Sequence, residues 1–516
     1  SLRRLLRRIE AWIDNRRVET TRRIARIIGG QAGAVSAALV TGKRGLITEE
    51  TNAALRAAGI YHIVSISGLH MVLAAGTIFW FTRAGLALFP VMALGWPIKK
   101  IAAVTAILGA LCYCIFSGAQ VATIRAVIMT GVMLGAVLFD RPALSMRNLA
   151  IAAILVLAWQ PETLLGPSFQ MSFSAVAGLI AGAEWLRQRE RTPSPPADIG
   201  TRIWRFVAGG MTGILITTII ATIATGPFAA YHFQIANPYG LIGNALALPI
   251  VSLVVMPAGV IGMLLIGFGL DPPAWEVMGF GIARVLDTAH FVEGFAGANV
   301  PVAAFGALAL SLMVAGLLTA TVFISPLRRL APIPALVGLL FALSPGGADL
   351  YVDRDGAGAA IRGPQGDLIL LGRPSSFVIA QWLKADGDAR LPDDPSLTDT
   401  RRCDALGCIS PFGPDLYAAF VMDARAFAED CRKAQIVITP LEAPAFCRAP
   451  LVIDRAVLEV GGALSLRFHD ALRARLSQIP AIADDTMSID NGADGDAGQI
   501  RAEAMLAANP VGRIET

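Results

Sequence analysis

The chain has 516 residues, 55% of them hydrophobic and only 16% charged, with a formal net charge of +4. Soluble domains carry closer to about 25% charged residues, so an ordinary soluble enzyme is disfavoured and an integral membrane protein is the default. The net charge is too small to mark a nucleic-acid binder by bulk electrostatics, and the length leaves room for several units.

Residue 1 is Ser, which predicts a fragment or a processed product, and the Arg-rich first 28 residues carry no signal peptide. Leu2, Leu5, Leu6, Ile9 and Trp12 recur at helical spacing. Residues 1–34 therefore read as a basic amphipathic, juxtamembrane segment, with a solvated connector as the alternative. Thr41 to Gly45 carry turn signals. Apolar runs then follow at 61–82, 101–117, 119–139, 148–160, 169–186, 206–229, 238–270 and 303–325, with a last one at 330–344. Crossing a bilayer takes about 20 apolar residues. The fold class is thus a polytopic α-helical membrane protein of about 8–10 membrane helices, some broken or re-entrant, spanning 35–345. Segment 238–270 is too long for one crossing and holds Pro249 and Pro257, so a broken helix or re-entrant pair is expected there. Segments 84–98 and 274–294 read as interfacial, with Trp96 and Trp275 at boundaries.

The arginines of 187–205 and the pair Arg328-Arg329 predict cytoplasmic loops by the positive-inside rule. If 330–344 crosses, the remainder is extracytoplasmic. There the composition changes. Short β segments at Tyr351, 359–362, 367–372, 434–439 and 450–454 predict a small β-rich α/β soluble domain over 346–483. Residues 484–516 read as a flexible tail. Cys112 and Cys114 lie in an apolar run and read as packing residues. Cys403, Cys408, Cys431 and Cys447 predict two disulfides or one metal site, and disulfides would imply an oxidising compartment.

Residues 62–71 read His-Ile-Val-Ser-Ile-Ser-Gly-Leu-His-Met. Polar groups in a membrane segment must face a protein interior or a wet cavity. On a helix, His62, Ser65 and Leu69 share a face, Ser67 pairs with His70, and Gly68 favours a break. Arg125 either snorkels to the surface, meets an anion in a cavity, or pairs with an acid such as Glu162. Gln170 and Ser174 share a face. Asn244 needs a partner from a helix or from water. Gly226-Pro227 and Asn237-Pro238 are turn signals, with Tyr231, His232 and Gln234 between them at an interface.

The decamer at 62–71 resembles the His-Leu-x-x-Ile-Ser-Gly-Leu-His motif of the ComEC family of competence proteins. The 38–44 and 59–62 segments, Gly118 with Arg125, Ala126 and Met129, Arg141 with Asn148, Pro161 with Gln170-Met-Ser-Phe, and Pro227 through Asn244 and Pro249 resemble its other motifs in order. The match covers roughly 35–325. It implies an inner-membrane channel passing single-stranded DNA into the cytoplasm during natural transformation. The channel-lining residues would be His62, Ser65, Ser67, Gly68, His70, Gln120, Arg125, Gln170 and Asn244. Partners implied are single-stranded DNA, the lipid bilayer, a cytoplasmic helicase and an extracytoplasmic DNA receptor. No Walker-type nucleotide motif is present, so the driving force is expected from such a partner or from the proton gradient. Family members usually carry a preceding OB-like domain with helices before it, and many end in a metallo-β-lactamase-like domain. Only His469 of the five histidines lies in the C-terminal region. That region is therefore expected to be, at most, a degenerate relative without nuclease activity, metal or cofactor. Two alternatives remain from the residues: a secondary transporter or small-ion channel, and a membrane-embedded hydrolase using Ser67 and His70.

Overall fold

The computed structural model describes residues 2–66, 68–189, 199–343 and 347–468; Ser67, His469 and the 484–516 tail lie outside the described residues. The chain divides into two compact units, Ser1–Val300 with Ala307–Phe341, and Pro301–Gly306 with Ala342–Thr516.

The first unit is helical. Helix α1 (Leu2–Ile28) leaves Trp12 exposed, but its second half enters the core. Thr20, Thr21 and Ile24 are buried, and the Thr21 hydroxyl bonds that of Thr41 at 2.8 Å. A surface helix along its whole length is thus corrected: its inner arginines find protein partners, described below. Helix α2 (Gly30–Thr41) is largely buried. Helix α3 (Glu49–Ala57) starts at an N-cap Thr48 that accepts from the Thr51 amide, with Glu49 and Glu50 in the positive first turn.

The expected span 61–82 begins late. Residues Tyr61–Ile63 form a 3-10 turn, and helix α4 (Gly68–Ala87) starts only at Gly68. Ile60, Ile63, Val64 and Ile66 are buried in protein rather than presented to lipid. His62 and Ser65 therefore precede the helix and share no helical face with Leu69. Next come α5 (Pro90–Gly95), α6 (Ile98–Phe116), α7 (Val121–Leu138), α8 (Met146–Trp159), α9 (Pro167–Arg189) and α10 (Ile199–Phe233). Short strand β1 (Ile235–Ala236) leads to α11 (Gly240–Ile250) and α12 (Met256–Leu265), joined through a π turn at Val251–Val255. This segment is one continuous helical passage, neither broken nor re-entrant. Pro249 and Pro257 lack the amides that would bond back one turn, and the π turn between them absorbs the mismatch.

Helix α13 (Pro272–Glu293) overturns the interfacial reading of 274–294. Trp275, Ile282, Val285, Ala289 and Val292 are fully buried, packed with residues of α2, α3, α11 and α12. Gly262 makes room for the indole, since a Cβ there would lie 2.7 Å from the Trp275 ring. Trp275 is a core anchor whose N–H is satisfied internally, which sequence cannot tell from a boundary tryptophan. After β2 (Val300–Pro301), α14 (Ala307–Val322) packs on α15 (Pro332–Leu343) through Gly316 and Gly338, whose missing side chains let the backbones meet.

Among the described residues, six helical segments are long and apolar enough to cross a membrane: Gly68–Ala87, Ile98–Phe116, Val121–Leu138, Thr212–Phe233, Gly240–Phe268 and Pro326–Leu343. Met146–Trp159 and Ala307–Val322 are apolar but shorter. Leu111, Ile154, Ile223, Leu253 and Leu264 point outward while His70, Ser117, Thr123 and Arg125 are buried. Apolar residues outside and polar ones inside are the arrangement a bilayer imposes. The protein is a polytopic helical membrane protein with a small sheet-containing domain.

In the second unit, strands β3 (Leu350–Val352), β4 (Gly358–Arg362), β5 (Leu368–Gly372) and β11 (Leu464–Leu466) form an antiparallel sheet in the order β11-β3-β4-β5. Strands β6 (Arg402–Cys403), β7 (Gly407–Gly413), β8 (Leu416–Val421), β9 (Ile436–Ile438) and β10 (Leu451–Ile453) form a mixed sheet ordered β10-β9-β8-β7-β6. Leu350, Ile361 and Leu371 of one sheet pack on Phe420, Ile438 and Ile453 of the other. Helix α16 (Ser376–Asp386) covers one outer face, and α17 (Phe427–Lys433) the other; α18 (Arg455–Gly461) follows β10. The β7–β8 hairpin was illegible because Pro411 and Gly413 sit in a strand, at a bulge. Disulfides join Cys403 to Cys408, directly opposite on β6 and β7, and Cys431 to Cys447. Cys112 is exposed and Cys114 buried, both free.

Burial pushes the Asp430 carboxyl up to about 6, with Glu429 and Asp404 adding to the effect. A carboxyl whose folded value exceeds its unfolded one, about 3.9, favours folding when protonated. That contribution is complete below about pH 4 and is lost as pH rises through about 6. Asp430→Asn is expected to remove this fall, read from hydrogen exchange of the α17 amides across that window; an unchanged profile would exclude Asp430 as its source.

Candidate functional site in the membrane unit

The residues singled out in the sequence fall into three structural groups. The first is the approach to α4. Its preceding turn is pinned by Asn237, whose Nδ2 donates to the Arg56 and Ala57 carbonyls at 2.8 and 3.3 Å and to that of Ala298 at 3.3 Å. Gly59 takes φ +68°, and a Cβ there would meet the Gly240 backbone. The chain then presents His62 on the exposed side of the 3-10 turn, and Ser65, which accepts a bond from Arg44 Nη2 at 3.0 Å. Gly68 opens α4, and His70 in its first turn is fully buried.

The second group surrounds the α6–α7 turn. Arg17 of α1 donates to the Thr41 carbonyl through Nε and Nη2, at 3.1 and 2.8 Å, and to the Ser117 carbonyl at 3.0 Å. It thereby caps the negative ends of both α2 and α6. Asp14 balances Arg17 and Lys43 at 3.1 and 2.9 Å. Gly118 and Ala119 have φ of +95° and +47°, and the turn delivers Gln120, exposed, to the start of α7. One turn further, Arg125 is only 5% exposed. It neither snorkels nor pairs with Glu162. Its Nη1 donates to Ser168 Oγ at 2.6 Å and its Nη2 to Ser172 Oγ at 3.1 Å, both on α9.

The third group joins α9, α10 and α11. Gln170 Oε1 lies 2.8 Å from His232 Nε2, and Gln170 Nε2 donates to the Leu164 carbonyl at 3.2 Å. Ser174 bonds back to the Met171 carbonyl. Asn244 Nδ2 donates to the Gly240 carbonyl at 2.8 Å. Among the described residues, the Asn244 Oδ1, Ser36 Oγ, Thr123 Oγ1 and Thr130 Oγ1 atoms are buried and have no protein partner. Thr123 and Thr130 lie two turns apart on one face of α7. Most other membrane threonines here bond to a carbonyl of their own helix.

The structure thus couples Arg125 with Ser168 and Ser172, and Gln170 with His232; it sets His62 and Ser65 apart from these on the α4 approach. Ser168, Ser172, His232 and Arg17 were missed as site residues. The Ser168/Ser172 spacing of one helical turn was a usable signal, whereas Arg17 had none, being one arginine among many. Among the described residues no three His, Cys, Asp or Glu side chains gather as a metal would need.

Buried polar and charged groups held on apolar spanning helices define a polytopic membrane protein with a polar interior. The chain belongs to the competence protein family, whose model matches residues 39–327. It is 25% identical over 230 residues to ComE operon protein 3 of Bacillus subtilis (strain 168), a match covering 44% of this chain and 26% of that protein. The chain thus spans about a quarter of that relative's length. No solved structure matches it.

Proposed function

We propose that the membrane unit is a conduit for single-stranded DNA, acting in competence. Family membership supports the process. The observation that carries the conduit is the polar set held among the apolar spanning helices: Arg125 on Ser168 and Ser172, Gln170 on His232, and the fully buried His70. Polar side chains at such depth in a bilayer face a protein interior or a wet passage. A polyanion crossing hydrocarbon needs such an interior with some positive charge, which Arg125 supplies. His62, Ser65, Ser67, Gly68, His70, Gln120, Gln170 and Asn244 complete the proposed lining, Ser67 lying outside the described residues. A cytoplasmic helicase and an extracytoplasmic DNA receptor are the proposed partners.

The test is entry of labelled DNA into the cytoplasm of cells carrying His70→Ala or Arg125→Gln chains at matched abundance. Uptake should fall to background in both; normal uptake in both would remove the conduit. A gradient-driven small-solute transporter would instead leave DNA entry intact and lose solute flux. The second unit is proposed to be extracytoplasmic, on the strength of its two disulfides. A membrane-impermeant maleimide should label Cys403 and Cys408 in intact spheroplasts only after an impermeant reductant. Labelling without reduction, or only after lysis, would place that unit elsewhere.

A further inference from the structure

We propose that the Arg125 guanidinium, the Ser168 and Ser172 hydroxyls and the first turn of α9 form a binding site for a phosphate-type oxyanion, occupied in use by a phosphodiester of the passing strand. This deepens the conduit reading and rests on it.

Arg125 is a buried cation whose described partners are two neutral hydroxyls. Among the described residues no carboxylate forms an ion pair with it. A buried charge is normally paired. Its position makes the imbalance worse. Ser168 lies in the opening turn of α9, a helix of 23 residues, where open amides put the positive end of the helix dipole. A cation there opposes the dipole; an anion would relieve both charges at once.

The serines point to the same ligand. Each hydroxyl accepts from the guanidinium and so keeps its own proton to donate. Ser174 and Ser252 place that proton on a carbonyl of their own helix, at 3.1 and 2.7 Å. Ser168 and Ser172 have no such acceptor among the described hydrogen bonds. Two polarised O–H donors one helical turn apart, backed by a fixed positive fork, suit the several acceptor oxygens of a phosphate. Ser168 is exposed and Ser172 half-buried, so the Ser168 hydroxyl forms the accessible edge of the site, with Ser172 behind it and Arg125 as the buried support.

The full chain, purified in a phosphate-free maltoside detergent, tests this with three probes: a short fluorescent oligothymidylate, inorganic phosphate, and an uncharged peptide nucleic acid of the same sequence. The oligothymidylate should bind, phosphate should compete, and the peptide nucleic acid should not bind. The Ser168→Ala/Ser172→Ala double variant, which leaves the arginine in place, should weaken oligothymidylate binding about tenfold, the loss expected for a charge-assisted contact. Arg125→Gln should weaken it further, and Arg125→Lys should fall between. Affinities within about twofold of the parent in the serine variant, or equal binding of the peptide nucleic acid, would overturn the site. Phosphatidylglycerol retained by the parent and lost by the variants, with oligothymidylate binding unmoved, would assign the oxyanion to a lipid headgroup and overturn the strand assignment. Failure of the conduit reading shows separately: cells lacking the chain would take up DNA normally.

Discussion

Replacing Arg23 with alanine is expected to destabilise the membrane unit by about 2 kcal/mol, below the cost of removing one partner of a fully buried ion pair because the arginine is partly exposed. Asp271 is completely buried. It accepts from Arg23 Nε and Nη2, both at 2.7 Å, and from Trp275 Nε1, also at 2.7 Å. The Arg23 side chain is 42% exposed while that of Asp271 is 0% exposed, so the carboxylate suffers when the pair is broken. The bridge ties α1 to the start of α13, and the indole it holds fills the core against Gly262.

The pH dependence has a definite sign. Arg23 beside it holds the Asp271 carboxyl below the usual carboxylate range. The pair therefore contributes stability above about pH 4, the unfolded value, and loses it as pH falls through the depressed folded value. Without Arg23, burial would favour the neutral acid, and the variant should become relatively more stable on acidification. Thermal unfolding in detergent at neutral and acidic pH measures both effects. Adding Asp271→Asn to the variant should restore part of the loss, because a neutral amide needs no counter-charge. An Arg23→Ala chain as stable as the parent at neutral pH would show that the bridge does not hold α1 to α13.

Arg17→Ala should be comparably damaging, at about 3 kcal/mol, since its charge-assisted bonds are worth about 1.5–3 kcal/mol each but do not add in full. Two helix ends lose their cap together, and the turn that delivers α7 loses its anchor. Arg17→Lys should not rescue, because one ammonium cannot reproduce a fork that meets two carbonyls. Gly118→Ala probes the same contact from the other side. Its Cβ would lie 2.5 Å from the guanidinium at a backbone φ of +95°, so strain and displacement act together. On the proposed conduit reading both variants should also lose DNA uptake with Arg125 intact, and the shift in unfolding temperature is read in parallel. Retained stability in Gly118→Ala would mean the turn can open without loosening α7.

Much of the architecture was legible before folding. Long apolar runs predicted most of the spans, and the switch to short β-type segments near 346 marked the second unit. Legibility failed where a local signal has two physical causes. The tryptophan at 275 reads equally as a membrane-boundary residue and as a core anchor; the carboxylate of Asp271 decides between them. Pro249 and Pro257 signal a break, yet a π turn keeps the passage helical. Ser65, Gly68 and His70 signal polarity within a span, but only packing of Ile60, Ile63 and Ile66 into protein fixes where α4 begins. The site behaved likewise. Arg125 was conspicuous as a charge in apolar sequence, while its serine partners on α9 are more than forty positions away.

Hydropathy and composition by themselves settled that this chain is a many-helix membrane protein with an appended β-rich domain, because the transfer of apolar side chains into lipid is a nearly additive property of each segment. Which polar groups meet was decided only in three dimensions. Hydrogen bonds and ion pairs are short-ranged and directional, so Arg17 on two carbonyls, Arg23 on Asp271 and Arg125 on two hydroxyls exist only once distant helices have packed.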